Sequence, residues 1–202
     1  MPRRPYGSAG LFFCKYHGYL FDGPSEKDAL IFYPGGKVES TAYAPLLHAL
    51  AEAGIDTFLV DMPFHLAFFG MNRAGDLIGK YDYENWYICG HSLGGVAASS
   101  WAAGHPEELD GVILLAAYPV KALDEGLTEL TIYGSEDKVL DPGKIEEGLK
   151  YAPADYEEYV IQGGNHAQFG SYGAQSGDGE AKISAEEQVS ETVKTILAWM
   201  EK

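Results

Sequence analysis

Cysteine is scarce in this sequence of 202 residues, and no apolar run is long enough for a membrane helix. The two cysteines, Cys14 and Cys89, lie in separate strand-like runs and match no metal-ligand spacing, which argues against a disulfide framework or a metal site. A reducing, cytoplasmic location is the default expectation. A bilayer-spanning helix takes ~20 apolar residues, so we expect no integral membrane segment. No signal-peptide-like apolar stretch follows the basic residues 1–7, although a leader removed by processing would leave no trace.

Basic residues are also few: 14 lysines and arginines stand against 30 aspartates and glutamates, a formal net charge of −16. An acidic surface repels phosphate backbones and anionic lipids, so the composition argues against nucleic-acid binding and peripheral membrane binding. Its simplest consequence is solubility, and attraction of a cationic substrate is the alternative. The oligomeric state stays open between a monomer and a homo-oligomer.

The length fits a single domain over residues 1–202, in which short apolar runs alternate with segments of helical spacing. Consecutive apolar residues over 111–117 predict a strand buried on both faces, and the repeated alternation favours an α/β fold with a doubly wound, mostly parallel sheet flanked by helices. Functional residues of such folds follow the carboxyl ends of strands. The predicted strands are 11–21 (one or two, around Gly18), 29–33, 56–60, 85–89, 111–117, 129–133 and 158–161. The predicted helices are 41–53, a weaker 67–81, 93–103, one opened by Asp141 and Pro142, and 184–200.

The strongest motif is Gly-x-Ser-x-Gly at residues 90–94, with an apolar strand directly before it and a helix after it. A serine at such a sharp turn exposes its hydroxyl, and glycines at 90 and 94 avoid the clashes that a Cβ atom would cause. The following helix directs its first N–H groups at developing negative charge. We therefore predict Ser92 as a nucleophile. His91 is interpreted as a packing or locally hydrogen-bonded residue, and Cys89 as a small buried apolar residue.

Two later strands are followed by an acid and a histidine, in the order that a Ser-acid-His triad takes in this architecture. Asp137 follows the strand 129–133, with Glu136 as the competing acid, and His166 follows the strand 158–161. His166 would take the proton of Ser92 and return it to the leaving group, while Asp137 would orient the imidazole. Taken singly, Asp137 could be a turn former and His166 a loop histidine. Together with Ser92 they follow three strand ends, and this placement favours the triad.

The glycine turn after the strand 29–33 predicts an oxyanion hole. The N–H of Leu93 would be one donor, and the N–H of Gly36, or less favourably that of Lys37, would be the other. Each such donor is typically worth about 3 kcal/mol in the transition state. The alternatives are a glycine turn without function and, for the Lys37 side chain, a contact with an anionic substrate group or plain solvation.

From about Ala29 onward, the sequence resembles the α/β-hydrolase superfamily, most of all a bacterial group of small α/β hydrolases. The resemblance lies in residues 31–39, 42–47, 90–95, 132–137 and 163–170. The dienelactone hydrolases are a more distant match, since their nucleophile is a cysteine where this chain has Ser92. The resemblance implies an α/β-hydrolase fold and supports the roles of Ser92, Asp137 and His166.

Two departures from that superfamily stand out. Only residues 119–128 separate the sixth and seventh predicted strands, so we expect no cap domain, and the short N-terminal part is expected to lack one or two strands of the eight-stranded sheet. Without a cap, other segments would line the substrate pocket. The candidates are the segment 62–71, for which core packing is the alternative, and the loop 168–176. Their proposed pocket residues, with Lys37, are Phe64, Phe68, Phe69 and Phe169.

The predicted function is that of a carboxylesterase-like serine hydrolase, which acts on an ester or related small acyl substrate through an acyl-enzyme and uses no metal or organic cofactor. Acyl transfer, thioester hydrolysis and peptide cleavage are alternatives on the same triad. A non-catalytic binding protein that keeps the fold is the alternative from another class.

Overall fold

The computed structural model describes residues 10–14, 18–24 and 27–202, so the basic residues 1–7 lie outside the described residues. An eight-stranded sheet forms its centre, in the order β1-β2-β4-β3-β5-β6-β7-β8. β2 pairs antiparallel with β1 and β4, and the remaining pairs are parallel. The strands are β1 (Gly10–Cys14), β2 (Gly18–Asp22), β3 (Asp28–Tyr33), β4 (Asp56–Val60), β5 (Asn85–His91), β6 (Gly111–Leu115), β7 (Thr128–Gly134) and β8 (Asp155–Ile161).

The predicted doubly wound, mostly parallel sheet is confirmed, and the expectation of one or two missing strands is wrong. The predicted run 11–21 corresponds to two strands, β1 and β2. Each has five residues, which is long enough for the two strands to pair with each other. Gly18 lets β2 approach β4 closely, since a Cβ atom there would lie 2.2 Å from the carbonyl oxygen of Leu59.

Five α-helices lie among the described residues: α1 (Ala44–Glu52), α2 (Arg73–Ile78), α3 (Leu93–Ala102), α4 (Pro142–Gly148) and α5 (Ala185–Met200). Asp141 caps α4 through the N–H of Gly143, and Ser184 and Glu187 form the predicted capping box of α5. The weak helical pattern over 67–81 gives only a 3-10 turn at Ala67–Phe69 and the short α2. Gly70 lies between the two and disfavours a continuous helix.

Each face of the sheet carries its own apolar core. On one face Phe32, Cys89 and Ile113 pack with side chains of α1 and α5. On the other, their neighbours Ile31, Ile88 and Val112 pack with side chains of α2 and α3. Every residue of β6 is buried, as its consecutive apolar residues predicted.

The connection from β6 to β7 is short, as the expected absence of a cap domain requires. The chain from β6 to β7, residues 116–127, is fully described and contains neither a helix nor a strand. Within the described ranges, no helix combines the length and the apolar character that crossing a membrane requires.

Candidate active site

Ser92 stands alone between the end of β5 and the start of α3. Its backbone has φ 52° and ψ −123°, a conformation that costs a non-glycine residue about 1–3 kcal/mol. Its N–H donates to the carbonyl oxygen of Leu115 at 2.9 Å, which ties the turn to the end of β6. The side chain is partly exposed. The strained turn thus presents a serine hydroxyl at the carboxyl edge of the sheet.

The two glycines of the motif are required by close backbone approach. A Cβ atom on Gly94 would lie 2.2 Å from the carbonyl oxygen of Tyr33, and one on Gly90 would lie 2.5 Å from the carbonyl carbon of Gly94. Cys89, just before the motif, is fully buried, and burial raises the pKa of its thiol. The environment of Cys89 therefore opposes formation of a reactive thiolate.

Asp137 and His166 form a buried pair. The Nδ1 atom of His166 lies 2.8 Å from Oδ2 of Asp137, and each side chain is only 1% exposed. The other carboxylate oxygen of Asp137 accepts hydrogen bonds from the N–H groups of Val139 and Leu140, at 2.8 Å each. An ionised carboxylate only accepts, so Nδ1 carries the proton and Nε2 of the neutral ring is an acceptor. That Nε2 is buried and has no hydrogen-bond partner among the described residues.

The competing acid, Glu136, faces elsewhere. Its carboxylate pairs with the ammonium of Lys182 at 2.6 Å, and this contact lowers the pKa of Glu136. Of the two acids that the sequence offered, the structure brings only Asp137 into contact with His166.

The loop that carries His166 is held by residues that sequence reasoning missed. The side chain of Gln188 makes two hydrogen bonds with the backbone of Asn165, at 3.0 and 2.9 Å. The carboxylate of Asp178 accepts from the N–H of Ala167 at 2.9 Å. Gln188 could have been found as a polar residue at the spacing of the buried face of α5, whereas no sequence pattern marks Asp178.

The His166 ring lies beside the turn that carries Ser92: its centroid is 4.6 Å from that of His91. His91 itself is 1% exposed, and its Nδ1 lies 2.8 Å from the Tyr43 hydroxyl, which fits the local hydrogen-bonding interpretation. Three distant stretches of chain therefore meet at this edge of the sheet.

Gly36 and the side chain of Leu93, the two residues of the predicted oxyanion donors, pack against each other. A Cβ atom on Gly36 would lie 2.9 Å from Cδ2 of Leu93. The N–H of Lys37 donates to the carbonyl oxygen of His65 at 2.8 Å and is therefore occupied. The N–H groups of Gly36 and Leu93 make no such bond within the described part of the chain. This pattern favours Gly36 over Lys37 as a donor, and the Lys37 side chain is exposed.

The aromatic segment 62–71 divides between core and surface. Met62 and Ala67 are buried, as the core-packing alternative requires, whereas Phe64, Phe68 and Phe69 are 82%, 49% and 64% exposed. We call these three side chains the phenylalanine patch. Core packing is therefore wrong for the patch itself.

Phe169 lies apart from the patch. It is 1% exposed, packs 5.6 Å from the His91 ring, and lines a cavity of about 420 Å³ between α1 and α5. The lining of this cavity includes none of Ser92, Asp137 and His166.

Residues 29–190 match the model of the alpha/beta hydrolase family. The chain belongs to this family. Solved structures of similar fold include a monoacylglycerol lipase from Paleococcus ferrophilus, with a TM-score of 0.67 and 15% identity over 90% of this chain and 99% of the lipase. Est1E from Butyrivibrio proteoclasticus gives 0.68 and 16% identity over 97% of this hydrolase and 100% of Est1E. The thioesterase domain from the curacin biosynthetic pathway gives 0.64 and 10% over 91% and 99%. A search of curated proteins finds no match for the hydrolase.

Proposed function

We propose that this α/β hydrolase is a serine hydrolase that cleaves carboxylic esters or related small acyl compounds through an acyl-enzyme. The observation that carries the proposal is the buried His166–Asp137 pair at 2.8 Å, beside the strained turn of Ser92, with Nε2 of His166 unpartnered within the described chain. A buried imidazole nitrogen without a partner can serve as the general base that accepts the proton of a hydroxyl group.

In the proposed reaction, the Ser92 hydroxyl attacks the acyl carbon while Nε2 of His166 takes its proton. The Asp137 carboxylate keeps the proton on Nδ1 and stabilises the imidazolium that forms. The N–H groups of Leu93 and Gly36 stabilise the oxyanion of the tetrahedral intermediate, at about 3 kcal/mol for each donor. His166 then protonates the leaving alcohol, and water repeats the sequence to release the acid.

The phenylalanine patch is proposed to receive the apolar part of the substrate, with Lys37 available to an anionic group. We call residues 34–37, which include the proposed donor Gly36, the oxyanion loop. The patch is joined to this loop, because the N–H of Lys37 donates to the carbonyl oxygen of His65, the neighbour of Phe64. Leu66, which lies between Phe64 and Phe68 in the sequence, approaches Gly36: its Cδ2 is 3.8 Å from where a Cβ atom on Gly36 would be. Phe169 is proposed to support the site indirectly, because its ring packs against the ring of His91.

Replacement of all three patch phenylalanines by alanine tests this assignment. We expect KM to rise more than tenfold for long-chain esters and to stay nearly constant for acetate esters, because only the longer chain loses apolar contact. An equal loss for every chain length would rule out the patch as the acyl-binding surface.

The catalytic proposal is tested by labelling with a fluorophosphonate probe and by hydrolysis of a chromogenic acetate ester. We expect wild-type protein to be labelled at Ser92, and Ser92→Ala to lose labelling and more than about 10³-fold in kcat. Ser190→Ala is the matched control, since Ser190 is an exposed serine on α5. Full activity in Ser92→Ala would refute the proposal, and an inert but folded wild type would favour the binding-protein alternative.

A further inference from the structure

A chain of hydrogen bonds joins the oxyanion loop to the nucleophile turn through two side chains with no role in the proposed reaction. The N–H of Gly35 donates to the Tyr43 hydroxyl at 3.0 Å, and that hydroxyl lies 2.8 Å from Nδ1 of His91. Tyr43 is fully buried at the end of a 3-10 turn (Ser40–Tyr43), and His91 is the last residue of β5. The chain therefore connects Gly35, next to the donor Gly36, with the residue next to Ser92.

The direction of these bonds follows from donor counting. The Tyr43 oxygen accepts from Gly35 N–H, so its own proton needs an acceptor, and Nδ1 of His91 is the acceptor within reach. In this arrangement His91 is neutral, with its proton on Nε2, a buried atom that has no hydrogen-bond partner among the described residues. Burial, and next the nearby His166, hold the pKa of His91 well below its usual range, although the His166 backbone partly opposes this shift. Burial also raises the pKa of Tyr43, so both groups stay uncharged.

The packing allows the loop little choice of conformation once these bonds form. A Cβ atom on Gly35 would lie 2.6 Å from the Tyr43 hydroxyl oxygen and 3.0 Å from Nδ1 of His91, so the backbone lies directly against both side chains. Two consecutive glycines are otherwise the most freely rotating stretch that a chain can have. The anchor at Gly35 therefore restricts the one segment whose flexibility would misplace the Gly36 N–H.

We propose that Tyr43 and His91 are positioning residues, which hold the Gly35–Gly36 segment so that the Gly36 N–H meets the developing oxyanion. His91 orients the Tyr43 hydroxyl, and Tyr43 fixes the loop. The neutral state of His91 matters as well, because a cation at this distance from His166 would oppose the imidazolium that forms there. This inference rests on the proposed serine-hydrolase function.

Tyr43→Phe tests the anchor by removing one oxygen and keeping the ring. We expect kcat for an acetate ester to fall about 10- to 100-fold with KM within twofold, since a misplaced oxyanion donor is felt in the transition state. The inhibition constant of a boronic acid, whose tetrahedral adduct needs the same donors, should rise by a similar factor. Labelling of wild-type Ser92 by the fluorophosphonate probe is checked first, so that failure of the proposed function is seen separately.

Tyr33→Phe is the matched control. Tyr33 is equally buried, but its hydroxyl bonds to the backbone of Met71 and Ala74 and not to the oxyanion loop. Equal losses in both variants would show a general effect of a buried hydroxyl and overturn the proposal. So would a Tyr43→Phe variant with kcat and boronate inhibition within threefold of wild type.

Replacement of His91 separates orientation from proton transfer. His91→Asn keeps an acceptor near the place of Nδ1, whereas His91→Leu does not, so we expect Asn to retain most of kcat and Leu to lose about tenfold or more. The pH–rate profile should be the same in His91→Asn and wild type. Loss of the low-pH limb in His91→Asn would identify His91 as a base and overturn its role as a positioning residue.

Discussion

Asp137 and Glu136 are neighbours with opposite surroundings, which makes them a matched pair at the scale of single residues. Asp137 is buried against His166, whereas Glu136 pairs with Lys182 at the surface. We expect Asp137→Asn to lower kcat by about 10³- to 10⁴-fold, because an amide cannot hold the required imidazole tautomer. Glu136→Gln should change kcat less than threefold. The comparison is made by steady-state kinetics, and an equal loss in both variants would contradict the assignment of Asp137.

Glu129 is a buried acid that the proposed mechanism does not use. It is 0% exposed in β7; one carboxyl oxygen accepts from the Thr131 hydroxyl at 3.1 Å, and the other has no partner among the described residues. Burial raises its pKa from 4.5 to about 7. The folded state then holds this proton more tightly than the unfolded state, so the free energy of unfolding falls as pH rises between about 4.5 and 7.

The size of this effect is measurable. A shift of this kind costs the folded state up to about 3 kcal/mol above neutral pH, at ~1.4 kcal/mol per pKa unit. Glu129→Gln removes the titration, so it should stabilise the protein at pH 8 relative to wild type and much less at pH 5. Urea unfolding at both pH values checks this, with the exposed Glu146→Gln as control. A difference between variant and wild type that does not vary with pH would contradict the expectation.

At the scale of elements, two glycines in neighbouring helices have opposite requirements. Gly94 in the first turn of α3 touches the backbone of Tyr33 and Pro34, so Gly94→Ala forces strand and helix apart. A Cβ atom on Gly75 in α2 would instead make an ordinary van der Waals contact, with the Trp101 ring at 3.6 Å. We expect Gly75→Ala to stabilise by about 0.5–1 kcal/mol through helix propensity.

Gly94→Ala should instead destabilise by about 2–4 kcal/mol, the range of severe overpacking, or prevent folding. Thermal unfolding of the two purified variants gives the comparison. A Gly94→Ala protein as stable as wild type would mean that α3 can move from β3 without cost, contrary to the contacts described above.

At the scale of the whole molecule, the net charge of −16 sets how stability responds to salt. Exposed ion pairs such as Lys144–Glu147 and Lys150–Glu147 each contribute little to stability. Because 30 acidic residues outnumber 14 basic ones, the average interaction between the surface charges is repulsive. Raising NaCl from about 10 mM to 300 mM shortens the screening length several-fold, so the melting temperature should rise by a few degrees.

The same increase in NaCl near pH 4, where about half of the carboxylates are neutral, should give a smaller rise in the melting temperature. Differential scanning calorimetry at pH 8 and near pH 4 is the measurement. A melting temperature that falls with salt at pH 8 would show that ion pairs outweigh the net repulsion.

The sequence alone determined the alternation of strands and helices, the buried face of α5 and its capping box, and which residue types follow β5, β7 and β8. These features are local: hydrophobic periodicity records how deeply each segment is buried, and caps and turns are read from neighbouring residues. The motif at residues 90–94 was therefore predictable together with the elements around it.

Only the tertiary structure decided the relations between distant segments. It placed β2 beside β4 and brought Asp137 rather than Glu136 to His166. It also paired the N–H of Lys37 with the carbonyl oxygen of His65 and left the phenylalanine patch exposed to solvent. Each of these outcomes depends on which distant segment packs against a given group. The residues next to a backbone N–H or a carboxylate in the sequence do not identify that segment. The pairing of the sheet and the closure of loops set those distances.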